Sequence, residues 1–178
     1  MAKMMPAFVL AAAVLACSAG ARAQTAPTPV PDMKPDLSAM SFMLGTWSCK
    51  SHVRGSERPD TSTTTMDLDG RWMRSHDVAP PFDKFRSRPI VTDTFTTYNP
   101  DLKIWVSTWV DNFGGYGTVT SPGWDGNKIT WTTVVSQDGS TGSDTTTKDS
   151  DTHTTDVANG KDRDGKPTPT VTTVCSKS

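Results

Sequence analysis

The chain has 178 residues, 34% of them hydrophobic and 8% aromatic, with 18 lysines and arginines against 19 aspartates and glutamates. That length fits one globular domain with a core of its own. The near-cancelling charge argues against a nucleic-acid binder, which carries a basic excess, and equally against an acidic tail or a polybasic membrane-surface segment.

The first 23 residues read as a secretory signal peptide. Lys3 supplies a positive start, and Phe8 to Ala16 is an apolar run too short to span a bilayer. Ala21-Arg22-Ala23 then places small residues where cleavage before Gln24 needs them. A periplasmic or secreted bacterial protein is expected, and since no second apolar run follows, no transmembrane segment. Val14-Leu15-Ala16-Cys17 supplies an alternative, a lipobox with the lipid anchor on Cys17. Residues 24–35 (QTAPTPVPDMKP) are proline-rich and polar, as in a flexible linker. The single domain is expected over 36–178.

Asp36 is placed to cap a short helix ending near Met43, with Leu37, Met40 and Leu44 as its apolar stripe. From Gly45 onward the signals are those of strands. Residues 24–178 hold 28 threonines among 155 residues, and threonine is β-branched and suits half-wet sheet surfaces. Strands are predicted near 45–53, 61–69, 71–78, 90–98, 103–111, 115–121, 127–136, 143–149, 151–158 and 168–176. Turn signals fall between them: Asp69-Gly70, Asn99-Pro100, Asp125-Gly126, Asp138-Gly139, Asn159-Gly160 and Asp164-Gly165. Many short strands joined by hairpins indicate an all-β, antiparallel barrel or sandwich. Several strands carry large side chains on both faces, which suits a closed barrel of about ten strands with one packed end and a lined cavity. The segment 143–155 (SDTTTKDSDTHTT) has no aliphatic or aromatic residue and reads as an exposed hairpin or a poorly ordered excursion.

Cys49 and Cys175 form an even pair in an oxidising compartment. A bridge between them joins the first and last elements, closes a loop of about 125 residues and adds about 4–5 kcal/mol by chain-entropy arithmetic. Two buried free thiols are the alternative.

Two sets of residues stand out as candidate ligand contacts. Trp72, Arg74 and His76 share one face of a strand; pointing inward, they offer a stacking surface, a cation and a titratable imidazole. Pointing outward, they are a solvated strand face. Trp105 and Trp109 share another strand face, and Trp131 lies with Ile129 on a third; these indoles line a cavity or pack a core. Phe82, Phe85, Arg86 and Arg88 sit on the proline-flanked loop 79–89, at a barrel mouth or packed on the barrel itself. There is no His-Glu-x-x-His, no clustered Cys/His and no Gly-x-Ser-x-Gly elbow, so neither a zinc hydrolase nor an α/β-hydrolase is expected. Lys161 to Gly165 fails the calcium-loop pattern, which needs aspartate where Gly160 stands and glutamate where Val171 stands.

Several passages carry a family resemblance. Ser41-Phe42-Met43-Leu44-Gly45-Thr46-Trp47 resembles the Phe-Leu-x-Gly-x-Trp entry of nitrobindin-like and lipocalin-like barrels. Asp69-Gly70-Arg71-Trp72-Met73 resembles a Gly-Arg-Trp-Leu strand start. Tyr98-Asn99-Pro100, followed by Ile104 to Asp111 (IWVSTWVD) and Ser121 to Gly126 (SPGWDG), completes a likeness to the secreted bacterial family called domain of unknown function 1579. The likeness covers about residues 36–135. It implies an antiparallel barrel of roughly ten strands with a short helix before the first strand, a tryptophan closing the bottom and a small-ligand cavity. Nitrobindins hold haem through a histidine near the C-terminal end. Here the last third offers only His153, in a polar segment without the apolar surroundings a porphyrin needs, so no cofactor is expected. The functional expectation is an exported barrel binding a small hydrophobic or amphipathic molecule. The alternatives are an enzyme with His76 as general base beside Arg74, and a structural or interaction protein whose barrel is filled by its own side chains.

Overall fold

The computed structural model describes residues 34–81 and 87–178. The expected signal peptide, Cys17, most of the expected linker, and Phe82, Phe85 and Arg86 lie outside the described residues. The strands are β1 (Gly45–Val53), β2 (Ser56–Asp67), β3 (Trp72–Ala79), β4 (Ile90–Asn99), β5 (Ile104–Asp111), β6 (Tyr116–Ser121), β7 (Trp124–Asp125), β8 (Lys128–Ser136), β9 (Thr141–Ser150), β10 (His153–Lys161) and β11 (Val171–Lys177). Every strand pairing is antiparallel. β6 pairs with β8 and β11 pairs with β1, so ten strands close into a barrel, with the two-residue β7 attached to the end of β8. Closure leaves no long strand edge with unpaired backbone groups.

The closing seam is stapled. Cys49 and Cys175 face each other across β1 and β11 and form a disulfide with a Cα–Cα distance of 4.1 Å. First and last elements are joined, as the cysteine spacing predicted.

One end is packed by apolar groups. The expected helix after Asp36 is instead a six-residue 3-10 helix, Ser38–Met43. Asp36 accepts a hydrogen bond from the Ser38 amide at 2.9 Å, but it lies one residue before the helix cap, which is Leu37 and makes no side-chain bond. Six residues are too few for a self-supporting α-helix, and tight 3-10 turns are the usual form of such short pieces. Leu37 and Met40 from this plug are buried against Met73, Trp105, Ile129 and Trp131. Phe42 and Met43 pack against Trp47 and the disulfide. The Trp47 indole N–H donates to the Met43 carbonyl at 2.8 Å, and Lys177 Nζ donates to the Phe42 carbonyl at 2.9 Å. Gly45, at φ +111°, turns the chain from the plug into β1. The Phe42 to Trp47 motif thus builds the floor of the barrel.

Two turn assignments differ from expectation. β1 and β2 are joined through Arg54-Gly55, both at positive φ (49° and 75°), so β2 starts earlier than the predicted strand at 61. Asn159-Gly160 is not a turn: it lies inside β10, with Gly160 opposite Gly142 on β9. A Cβ on Gly142 would meet the Asn159 carbonyl oxygen at 2.4 Å and Gly160 Cα at 2.9 Å, so the glycines serve close backbone approach. Gly142→Ala is expected to cost about 2–3 kcal/mol, because backbone atoms cannot step aside as a side chain would. Gly55→Asn, at an αL position with open space around it, is the matched control and is expected to change stability by less than about 1 kcal/mol. Urea melts of the two variants check this.

Candidate functional site

Alternation along each strand sends every second side chain into the barrel. Above the apolar floor the inward side chains are small and polar. They enclose a cavity of ≈ 360 Å³ lined by Ser62, Thr64, Ser75, Thr94, Thr96, Ser107, Thr146, Thr154 and Thr173. Four carboxylates share the lining: Asp60 on β2, Asp77 on β3, Asp144 on β9 and Asp156 on β10. Met40, Met43, Trp47, Met73 and Trp131 form its apolar part, with the disulfide beside them. No lysine, arginine or histidine is among the described residues that line it.

The carboxylates fall into two pairs. Asp77 is opposite Ser62, one step along β2 from Asp60's inward position. Asp156 is opposite Thr146, which places it diagonal to Asp144. Trp131 is directly cross-strand from Asp144. Asp60 Oδ1 and Asp144 Oδ1 are both buried and have no hydrogen-bond partner. Loss of water dominates the electrostatics. Burial pushes the Asp77 carboxyl up to about 6, with the Ser62 hydrogen bond opposing and the Asp60 charge adding to the rise. Burial pushes Asp156 up to about 7, reinforced by the charge of Asp144. Asp60 and Asp144 are raised by burial as well.

The segment 143–155 is a hairpin, as one of its two readings had it, and it is exposed mainly at its tip. Its two strands complete the barrel wall, with Asp144, Thr146 and Thr154 turned inward and Thr154 only 1% exposed. Its lack of aliphatic residues matches the polar lumen it lines.

The tryptophans divide. Trp131, 8% exposed, lines the cavity. Trp105 is buried in the floor, its ring 5.3 Å from that of Tyr98. Trp109 lies opposite Gly117, where an added Cβ would come within 2.7 Å of the indole.

Trp72, Arg74 and His76 are on the outward face of β3, because Met73, Ser75 and Asp77 take the inward positions. On β3 the lumen thus receives Met73, Ser75 and Asp77, and the indole, guanidinium and imidazole are left outside. There Arg74 holds Asp93 of β4 through Nε and Nη2, each at 3.0 Å, while His76 Nδ1 lies 3.0 Å from the same carboxylate. Desolvation pushes Asp93 up, but the His76 and Arg74 hydrogen bonds and charges outweigh it and hold the carboxyl below its usual range. Arg74 and His76 border a shallow outer groove with Thr63 and Thr65. Trp72 borders another with Arg71 and Tyr98. An imidazole and guanidinium acting together inside the lumen is not the arrangement formed. His153 is exposed at the start of β10, and Arg88 donates to the Asn112 carbonyl at 2.6 Å.

Reasoning from sequence missed the four luminal aspartates. Aspartate is a common turn and surface residue and an uncommon lining for a barrel. The available signal was its recurrence at alternate, threonine-rich positions of strands, as in Asp144-x-Thr146 and Thr154-x-Asp156. Among the described residues no three His, Cys, Asp or Glu are grouped to hold a metal ion, and no helix is long and apolar enough to cross a membrane. No protein-family model matches the chain, and no curated protein matches it.

Proposed function

We propose that this chain is an exported binding barrel that holds a small amphipathic molecule in its lumen. One observation carries the reading: a closed wall, plugged at one end by apolar groups, surrounds a cavity of ≈ 360 Å³. Small-molecule sites have volumes of about 300–1,000 Å³ and combine apolar walls with a few convergent polar groups. The apolar floor suits a hydrocarbon portion, and the hydroxyl- and carboxylate-lined upper lumen suits a polar head. A periplasmic or secreted location is supported by Lys3, the run from Phe8 to Ala16 and the Ala21-Arg22-Ala23 site, and the disulfide is compatible with it. The passages around Trp47, Trp72 and Trp105 support kinship with the domain of unknown function 1579 barrels.

Native mass spectrometry of the exported protein tests the reading. A bound mass released by denaturation, or saturable one-to-one uptake of a neutral amphipathic dye such as Nile red, is the expected result. Ser107→Phe places a ring in the lumen and is expected to weaken dye binding by about tenfold or more while the protein stays folded. Equal dye affinity in the variant and the parent would place the dye outside the barrel. The intact mass also reads the mature N-terminus, Gln24 or a lipidated Cys17.

A further inference from the structure

We propose that the lumen selects an organic cation, an ammonium-bearing amphiphile whose head lies between Trp131 and the Asp144–Asp156 pair. The inference rests on the reading of the barrel as a small-molecule binder and names the chemistry of its ligand.

Four carboxylates face one cavity with no basic side chain among its described lining. Buried carboxylates are ordinarily paired with a cation or saturated with hydrogen bonds. Asp144 Oδ1 has neither a hydrogen-bond partner nor exposure to solvent, and the same holds for Asp60 Oδ1. Acceptors in this state are completed by a ligand that brings donors and positive charge.

The surroundings of Asp144 favour an ammonium group. Trp131 stands directly across the strand pair, and an indole face attracts cations. Asp156 lies diagonally across the neighbouring pair, so charge and aromatic surface converge on one stretch of wall. Asp149 adds its charge to that of Asp144 in raising Asp156; Asp60 and Asp77 lie elsewhere on the lumen wall, Lys148, further along the row of β9 that carries Asp144, is engaged by Asp151 and by the Phe42 ring, and β8 and β11 contribute no ionisable side chain to the described lining. A metal ion does not fit, since no group of three ligating side chains is present among the described residues. The apolar floor below accepts the alkyl or aromatic remainder of the ligand.

Three probes with one alkyl length decide the matter: octylammonium, octyl glucoside and octyl sulfate, titrated into the purified protein by calorimetry. At about pH 8, where the carboxylates are charged, the cation is expected to bind at least about tenfold more tightly than the neutral probe, with the anion weakest. At about pH 5 the preference is expected to shrink severalfold as luminal carboxylates take up protons. Asp144→Asn combined with Asp156→Asn is expected to abolish the preference at both pH values while octyl glucoside binding persists, which also reports that the lumen is intact. If octyl glucoside binds and the cation holds no advantage, the cation assignment is overturned and the binding-barrel reading stands. If none of the three binds, both are overturned. A cation preference that survives in the double variant overturns the placement of the head, and one unchanged between the two pH values does so without needing a variant.

Discussion

Replacing Cys49 and Cys175 by alanine is expected to lower stability by about 4–5 kcal/mol, the loop-entropy value for a cross-link of this span. The bridge ties positions 126 residues apart and lies on the seam where β11 closes against β1. Total stabilities of single domains are about 5–15 kcal/mol, so the loss is a large fraction of the whole. In melting temperature it corresponds to roughly 10–15 °C for a domain of this size. The reduced wild-type protein is the matched comparison, since it keeps both sulfurs in place. Thermal melts with and without reductant, beside the double variant, check the result. A loss below about 1 kcal/mol would show that strand pairing and the plug alone hold the seam, with the denatured chain little restrained by the bridge.

The second large effect is a fall in stability as pH rises from about 4 to about 7. In the unfolded chain aspartates titrate near 3.9. In the barrel Asp156 titrates at about 7 and Asp77 at about 6, and Asp60 and Asp144 are raised too. Across that window the folded state holds more protons than the unfolded state, so stability falls as pH rises. The contribution is fully present below the unfolded value and is lost as pH passes the folded ones. For Asp156 alone the change is on the order of 3–4 kcal/mol, at 1.36 kcal/mol per pH unit of displacement. Asp93 and Asp138 act in the opposite sense: their carboxyls are held low, and their contribution is lost only in stronger acid. Maximum stability is therefore expected near pH 4–5 rather than at neutrality. Calorimetric melts at about pH 4.5 and pH 8 read the effect directly. Asp156→Asn keeps the shape, removes the titration and is expected to flatten the slope. A melting temperature that is level or rising over this range would mean that water reaches the lumen freely enough to keep its carboxylates ordinary.

The strands themselves were legible because alternation and turn dipeptides are local signals. β1 was predicted at its observed residues, the β4 to β6 region was placed to within a residue or two, and the positive-φ turns at Gly70, Gly139 and Gly165 follow from Asp-Gly pairs. The cysteine pair was legible for a related reason: two cysteines at the two ends of one domain, behind an expected export signal, point to a bridge. What alternation does not tell is which face is inside. The usual rule sends the larger apolar side chains inward. On β3 the lumen instead receives Ser75 and Asp77, and Trp72, Arg74 and His76 are left on the outer wall, where Asp93 engages two of them. The same inversion made residues 143–155 look unfit for a barrel wall. A wall around a polar cavity needs no aliphatic residue at these positions, because the hydroxyls and carboxylates face one another and the cavity. Arg54-Gly55 was missed because arginine is an unusual occupant of a positive-φ position.

The circuit of strands also dictates when the barrel can exist. β1 is the first strand to be made, and one of its two partners, β11, is the last. All other neighbours in the circuit can pair as successive hairpins while the chain is still emerging, apart from the short skip from β6 to β8. The seam, and with it the enclosure of the lumen, must wait for the final strand. Until then β1 exposes an open edge, Cys49 has no partner, and the polar interior is an open, wet sheet face. Completion thus requires contact between the two ends of the domain, the kind of non-local step that makes β-topologies slow to fold. A protein released with its last strand missing would keep most of its secondary structure and have no inside.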